Sequence, residues 1–410
     1  MILGRLYEKI GMHAAPRGTL LYYAHHAIHR LYFALVRRRP APEPPPPKKI
    51  RQTEALAALR ISGGIGDYLI AARYIRDLME AVGAFRFDIY GGHKVAIALA
   101  FGTCSHFNKS YEEYLFEGKE VWKETYPLAI WISQFVTVYD EYMDKDAVRK
   151  TNPKLLDIAA TIRRFIDRND ITPFIANHPY LDNALARKAV FLGLNRYTIA
   201  QGMSGIPYGG DLLSFPSAPA TLAKFGLSGK KYITIHNGFD EHLSEKCTST
   251  KSMTKIYPRF DDVIENVKDA CGDIIVVQIG TRTSVPIAGV DVNLVNQTSL
   301  PEVAEILRHS LLHIDDESGM VHVAACVGTK TCVVFGPSVA DYYVYADNIN
   351  IYPRFCGGCA WATRDWMTTC PRGLGEPPPC LTETPPAAVG EAIIACLNEN
   401  RAAFRRSGAA

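Results

Sequence analysis

The segment 62–67 (SGGIGD) lies between a predicted strand and a predicted helix, where its glycines allow a tight turn and a close ligand approach. A dinucleotide fingerprint would need a third glycine at position 69, which is Leu. Asp67 would also repel a pyrophosphate at the N-terminus of the helix. An Asp in a first helical turn is itself a favourable helix-end residue. Asp67 is therefore either a structural residue of the helix start or a general base in a cleft.

The segment 249–260 (STKSMTKIYPRF) follows a predicted strand and is rich in hydroxyl and ammonium groups. Such groups suit a diphosphate, and Thr250 and Lys255 are the candidate donor-binding residues. The alternative is a solvated loop that caps the helix after Pro258.

The segment 315–338 begins with an acidic cluster that ends in Glu317. Ser318 and Gly319 then start a predicted helix whose free amide groups form an anion site. The acid can accept hydrogen bonds from the hydroxyls of a ribose or sugar. His322 lies inside this helix, where a single histidine is more often a core residue than a catalyst.

Four cysteines in the C-terminal loop have the spacing C-x2-C-x10-C-x9-C, namely Cys356, Cys359, Cys370 and Cys380. Four thiolates suit a tetrahedral metal site for zinc or iron, and such a closed site would be structural. The alternatives are two disulfides or four free thiols. The other six cysteines are interpreted as core residues.

The elements that must position these residues alternate between strand and helix, which predicts an α/β fold with parallel sheets. We expect two Rossmann-like domains, over 51–215 and 216–385, with the cysteine loop at 355–382. The stretch 103–150 gives no firm elements. A C-terminal helix follows within 386–410 and could pack back on the first domain. Ligands bind at the carboxyl ends of such sheets, so a cleft between the two domains is the expected site.

Residues 1–50 form a helical arm and a polyproline linker. Within the arm, residues 17–39 combine aromatic side chains with five arginines, which suits either peripheral membrane contact or assembly with another copy of the chain. The first residues lack the apolar core of a signal peptide, so a cytoplasmic protein is expected. A net charge of +3 gives no reason to expect nucleic-acid binding.

Three motifs of the sequence resemble those of glycosyltransferase family 9, the heptosyltransferases. They are Gly66-Asp67, the segment Lys255 to Pro258 (KIYP), and the run from Glu317 to Gly328 (ESGMVHVAACVG) with Phe335-Gly336-Pro337 after it. The family usually has Asp where this chain has Glu317, and Asp316 stands beside it. The four cysteines resemble the iron site of the autotransporter heptosyltransferase branch.

The resemblance implies a GT-B fold and inverting transfer of a sugar, such as heptose from ADP-heptose, to a glycan, lipid-linked or protein acceptor. It makes 51–215 the acceptor domain, with Asp67 as the base, and 216–385 the nucleotide-sugar domain, and it requires no catalytic metal. The donor-binding residues that it implies are Thr250, Lys255, Glu317, Ser318, Gly319 and His322. Iron or zinc would be structural. The competing hypotheses are a metal-thiolate electron-transfer or regulatory protein and an NAD-dependent oxidoreductase, which the incomplete fingerprint disfavours.

Overall fold

The computed structural model describes residues 55–118, 125–239 and 254–407, with side chains up to residue 399. Residues 53–410 form one compact unit. The arm at 1–50 and Thr250 lie outside the described residues. None of the described helices is long and apolar enough to cross a membrane.

The first lobe of this unit is built on a five-stranded sheet with the order β3-β2-β1-β4-β5. Its strands are β1 (Ala57–Ile61), β2 (Phe87–Tyr90), β3 (Phe107–Tyr111), β4 (Leu128–Ile132) and β5 (Val136–Val138). All pairs are parallel except β4 with β5. In the register of the central strands, Leu59 of β1 lies between Ile89 and Ile130.

Strands β3, β4 and β5 lie inside the stretch 103–150, where the sequence pattern predicts no firm helices or strands. Strand β3 (FNKSY) is half polar because it is an edge strand, so it has no continuous apolar run to identify it. Strand β5 pairs back on β4 and has only three residues, so β5 is too short to show a clear pattern.

Helices cover this sheet and fill the space before the second lobe. They are α1 (Ile65–Val82), α2 (Lys94–Phe101), α3 (Tyr114–Gly118), α4 (Lys145–Thr151), α5 (Lys154–Arg168), α6 (Thr172–Ala176), α7 (Asp182–Phe191), α8 (Ile199–Ser204) and α9 (Thr221–Lys224). The helix α1 is deeply buried, since its Leu69, Ile75 and Leu78 are at most 1% exposed.

The second lobe is built on a six-stranded parallel sheet with the order β11-β10-β9-β6-β7-β8. Its strands are β6 (Tyr232–Ile235), β7 (Ile275–Gln278), β8 (Val292–Asn293), β9 (His313–Asp316), β10 (Thr331–Val334) and β11 (Ile349–Ile351). Its helices are α10 (Phe260–Ala270), α11 (Leu300–Arg308), α12 (Gly319–Cys326), α13 (Ala340–Tyr343), α14 (Pro379–Thr382) and α15 (Pro386–Ser407). The predicted pair of parallel α/β sheets is confirmed.

The C-terminal helix α15 packs on the second lobe, so the expectation that it could return to the first domain is wrong. Val389, Ile393 and Leu397 belong to the same buried cluster as Val263 and Ile264 of α10. Their spacing gives α15 one apolar stripe, and this stripe is complementary to the amphipathic face of its neighbour. The helix therefore completes the core of the second lobe.

Candidate active site

Asp67 is held by the backbone of its own turn. Gly63 has φ +122°, and a Cβ there would lie 2.1 Å from Asp67 Oδ2, so only glycine fits. The backbone N–H of Gly64, the residue before α1, donates to the same oxygen at 2.9 Å. This contact is the helix-start role that the sequence left open. It fixes the carboxylate at the carboxyl end of β1, and the Asp67 side chain remains 23% exposed.

A buried arginine lies beside this carboxylate. Arg196 Nη2 is 2.5 Å from Asp67 Oδ1, and the Arg196 residue is only 1% exposed. Burial alone would lower the pKa of Arg196, but the neighbouring Asp67 outweighs it and raises that pKa. The second terminal nitrogen, Nη1, is buried and has no hydrogen-bond partner among the described residues. Arg196 is therefore a permanent cation next to Asp67 with a spare donor.

The second lobe meets this turn at His322. A Cβ on Gly66 would lie 2.4 Å from His322 Cδ2, so the glycine is required where the lobes touch. Helix α12 starts at the same seam, where Ser318 Oγ accepts the Met320 N–H at 3.1 Å. A Cβ on Gly319 would lie 3.4 Å from the Gly66 nitrogen. The N-terminus of α12 thus faces the Asp67 turn.

His322 is held as a neutral imidazole with a defined proton position. Its Nδ1 is 2.6 Å from Tyr345 Oη, and Arg73 Nη1 donates to the same oxygen at 2.8 Å. With Arg73 donating to Tyr345 Oη, the Tyr345 proton is assigned to Nδ1, and this assignment leaves the imidazole proton on Nε2. Burial and then the charges of Arg73 and Arg196 lower the pKa of His322 well below its usual value. His322 therefore presents an Nε2–H donor on the side near Gly66.

Asp315 is an ionised carboxylate inside the second lobe. Its oxygens lie 3.0 Å from His236 Nδ1, 3.3 Å from His313 Nε2 and 2.6 Å from Ser318 Oγ. Burial raises the pKa of Asp315, but His236 and His313 outweigh this effect and lower it to about 2. The negative charge at this point orients Ser318 and the histidines behind the N-terminus of α12.

The next two acids differ from each other. Burial and the charge of Asp315 raise the pKa of Asp316 well above its usual value, so Asp316 is the neutral acid of the run. Glu317 Oε2 lies 3.5 Å from Lys255 Nζ and accepts a hydrogen bond from Ser338 Oγ at 2.6 Å. Burial alone would lower the pKa of Lys255, but the neighbouring Glu317 carboxylate reverses this and raises it. Glu317 and charged Lys255 therefore form the ion pair at the cleft.

Three buried side chains have potential metal-ligand atoms within 4.8 Å of one another, namely His236, Asp315 and Asp316. A cation there would compete with the donors that already occupy both oxygens of Asp315 and with the nearby charge of Lys255. Within the described parts of the chain, Asp316 Oδ1 is the atom of this group that has no hydrogen-bond partner. The group is therefore a hydrogen-bond network and not a preformed cation site.

None of the four loop cysteines forms a disulfide in the structure. Burial first, and then the neighbouring Cys356, Cys359 and Cys370, raise the pKa of Cys380 to about 12. The four sulfurs are thus close enough to interact, although no three of them share the 4.8 Å spacing found at His236. Their chemistry fits thiolate binding to iron or zinc, since a metal would compensate crowded thiolates.

This cysteine loop also connects the two lobes. Asn183 Nδ2 of α7 donates to Gly358 O at 3.0 Å and to Ala360 O at 2.7 Å. The Ala360 N–H in turn donates to Pro337 O at 2.7 Å. The loop therefore ties the first lobe to the segment that follows β10 beside Glu317.

The predicted site residues come together as follows. Asp67, Lys255, Glu317, Ser318, Gly319 and His322 surround one seam between the lobes. Thr250 lies outside the described residues, and the cysteines form a separate cluster. Arg196 was not predicted, because no local pattern marks it.

Comparison with known proteins identifies the second lobe. Residues 218–351 match the sequence model of glycosyltransferase family 9 (heptosyltransferase). The chain is a glycosyltransferase. No curated protein matches the chain at the level of sequence.

Solved structures with the same fold are heptosyltransferases and family 9 proteins, and they confirm the GT-B architecture. The family 9 glycosyltransferase from Veillonella parvula is 11% identical with a TM-score of 0.51, covering 84% of this chain and 98% of that one. The iron-containing dodecameric glycosyltransferase TibC from enterotoxigenic E. coli H10407 is 13% identical with a TM-score of 0.51, covering 86% and 78%. TibC has also been solved in complex with ADP-D-β-D-heptose, at 12% identity and a TM-score of 0.50, covering 86% of this chain and 77% of that one.

Proposed function

We propose that this glycosyltransferase transfers heptose from ADP-heptose to a hydroxyl of a glycan or protein acceptor, with inversion. The observation that carries the proposal is the seam where Asp67 of one lobe faces the start of α12 and His322 of the other. An acid–base group and an anion site on opposite walls of a cleft are what direct displacement at a sugar carbon requires. The ADP-heptose bound by TibC supports the choice of donor.

Asp67 is the proposed base. The acceptor oxygen attacks the anomeric carbon while its proton moves to Asp67, and the bond from that carbon to the diphosphate breaks. The ion pair with Arg196 and the Gly64 N–H hold the carboxylate in one position. Proton transfer to a positioned base contributes about 10²–10⁴-fold in rate.

The departing diphosphate gains negative charge, and the second lobe supplies donors for it. Lys255 provides a full charge, the first amides of α12 provide backbone donors, and His322 provides its Nε2–H. Each well-placed donor of this kind contributes about 10²–10³-fold when it acts on developing charge. This set of donors lets the proposed reaction proceed without a catalytic metal.

The turn of the first lobe argues against the NAD-dependent alternative. The Gly64 N–H, which would bind a pyrophosphate in a dinucleotide site, is already bonded to Asp67. A pyrophosphate bound at that point would lie next to the Asp67 carboxylate and be repelled by it. We assign the first lobe to the acceptor and the second lobe to the nucleotide.

The cysteine loop holds the proposed structural metal. Cys356, Cys359, Cys370 and Cys380 would bind iron or zinc and thereby stiffen a loop that contacts both lobes. The iron of TibC supports this proposal. The protein is proposed to be cytoplasmic, with residues 17–39 serving contact with a membrane surface or with other copies of the chain.

The function is tested with purified protein and a panel of ADP-heptose, UDP-glucose and NADH. We expect ADP-heptose and ADP to raise the melting temperature, and mass spectrometry to detect heptose transfer to deacylated lipopolysaccharide core oligosaccharide. Stabilisation by NADH without any effect of ADP-sugars would contradict the proposal. Stabilisation by UDP-glucose would reject the choice of donor while retaining the reaction class.

A further inference from the structure

The first lobe contains a serine, a histidine and an aspartate in a hydrogen-bonded chain. Ser133 Oγ lies 2.9 Å from His178 Nε2, and His178 Nδ1 lies 2.9 Å from Asp182 Oδ1. Ser133 and Asp182 are 4% and 5% exposed, and the His178 side chain is 15% exposed. No motif in the sequence marks these residues, which lie 45 and 4 positions apart.

The chain lies at the same edge of the sheet as Asp67. Ser133 directly follows β4, which pairs in parallel with β1, and the Ser62 N–H at the end of β1 donates to Ile132 O at 3.4 Å. The carboxyl ends of neighbouring parallel strands meet at one edge, where ligands bind in such sheets. The charges of Asp67 and Arg196 also act on the Asp182 carboxyl group. The trio therefore lies in the acceptor half of the cleft.

The same three residue types in this order form the catalytic triad of serine hydrolases, but a hydrolase needs an oxyanion hole beside its nucleophile. In this chain the Ser133 N–H is already bonded to Phe135 O at 2.8 Å. The amide of the serine is thus unavailable to a developing oxyanion. The arrangement is better suited to orienting a hydroxyl than to nucleophilic attack.

The direction of each hydrogen bond follows from the chemistry of the partners. The Asp182 carboxylate accepts, so His178 carries its proton on Nδ1 and accepts from Ser133 at Nε2. The rings of Trp131 and Phe135 meet the His178 ring edge-on, at centroid distances of 5.7 and 5.5 Å, and hold its plane. The Ser133 proton is consequently committed to His178, and only its oxygen lone pairs are left for a ligand.

We propose that Ser133 is a specificity-determining residue of the acceptor subsite, where its oxygen accepts a hydrogen bond from an acceptor hydroxyl and His178 with Asp182 sets its orientation. The inference rests on the proposed function, since it assumes a hydroxyl-bearing acceptor in this half of the cleft. A phosphate or carboxylate oxygen of an acceptor would meet only lone pairs and be rejected. The subsite therefore selects a hydroxyl-bearing saccharide.

Charged and polar groups of both lobes act on the Asp182 end of this chain. They are Asp67 and Arg196 beside it and Tyr342 of the second lobe. Burial raises the pKa of Asp182, which strengthens its hold on the Nδ1 proton at neutral pH.

The test measures initial rates of the full-length protein with ADP-heptose and deacylated core oligosaccharide. Ser133→Ala should raise the oligosaccharide KM about tenfold, the value of one hydrogen bond, and leave the ADP-heptose KM unchanged. Ser133→Thr retains the hydroxyl and should restore most of the affinity.

His178→Asn should give the same loss as Ser133→Ala, and the double variant should be no worse than either single variant, because both remove one interaction. His309→Gln is the matched control. His309 also pairs with a carboxylate four positions away, that of Glu305, but it lies on the surface of the second lobe. Imidazole ¹⁵N NMR should show the Nδ1–H tautomer for His178.

An unchanged oligosaccharide KM in an active Ser133→Ala enzyme would overturn the inference while the proposed function stands. An Nε2–H tautomer of His178 would do the same. If wild type turns over no ADP-heptose, the proposed function fails and the inference fails with it. If His178→Asn does not fold, the inference is tested by Ser133→Ala, Ser133→Thr and the tautomer of His178 measured by NMR.

Discussion

Asp67→Asn should separate the catalytic role of the carboxylate from its structural role. Asparagine keeps the shape of the side chain and can still accept the Gly64 N–H, but it removes the charge that faces Arg196. Arg196 is 1% exposed and its other nitrogen already lacks a partner, so the substitution leaves a buried cation without a counterion.

The magnitude follows from the burial of the two partners. Removing one member of a fully buried pair costs about 3–5 kcal/mol, and the 23% exposure of the Asp67 side chain reduces this to about 2 kcal/mol. That loss corresponds to a melting temperature lower by about 5 °C. Arg196→Gln combined with Asp67→Asn removes both charges and should recover part of the stability.

The activity should not recover with the stability. We expect kcat of Asp67→Asn and of the double variant to fall about 10²–10⁴-fold, because neither has a base. Calorimetry should give nearly unchanged ADP affinity, since the proposed nucleotide site is in the other lobe. Asp157→Asn is the matched control, because Asp157 is also in the first turn of a helix, α5, but is exposed.

Two results would refute this reasoning. Turnover within tenfold of wild type in Asp67→Asn would show that the carboxylate is only a helix-start residue. A double variant that is less stable than either single variant would mean that the ion pair does not couple the two residues.

Three further expectations follow from the same contacts. Lys255→Ala should weaken ADP binding by about 10–150-fold in calorimetry, as expected for a charge-assisted contact of about 1.5–3 kcal/mol, and an unchanged affinity would exclude a phosphate role for Lys255. The pKa of His322 is lowered in the folded state, so the unfolded state binds more protons below pH ~6.5. The free energy of unfolding of the wild type should therefore fall as the pH decreases, and His322 contributes a slope of at most about 1.4 kcal/mol per pH unit. Urea titrations of His322→Asn should lack that component, whereas the exposed-site control His309→Asn should keep it. Elemental analysis should find one iron or zinc per chain, and Cys380→Ser should lower both the metal content and the melting temperature; full metal content in Cys380→Ser would remove Cys380 from the site.

The sequence predicted the parts of the site that depend on local chemistry. The turn around Asp67 and the start of α12 at Ser318 are determined by residues within a few positions of each other, so glycine, capping and helix-start preferences reveal them. The motif residues from Lys255 to His322 were predicted in the same way and meet at one seam. The assignment of Asp67 as base remains a prediction.

The sequence did not predict the contacts that join distant segments. Arg196 reaches Asp67 across 129 positions, and Arg73 reaches Tyr345 across 272. Neither arginine is part of a motif, since each is polar in an otherwise ordinary helical or loop segment. Only the packing of the lobes makes them buried cations beside functional groups.

The same division explains the fold. By itself the sequence determined that strands alternate with helices in two series, because the 2- and 3.6-residue periods of burial are local properties of the chain. Only the tertiary structure decided which lobe receives α15, how the edge strands β3 and β5 pair, and that Ser133, His178 and Asp182 form one chain. Those outcomes depend on which surfaces are complementary after folding, and a linear pattern does not contain that information.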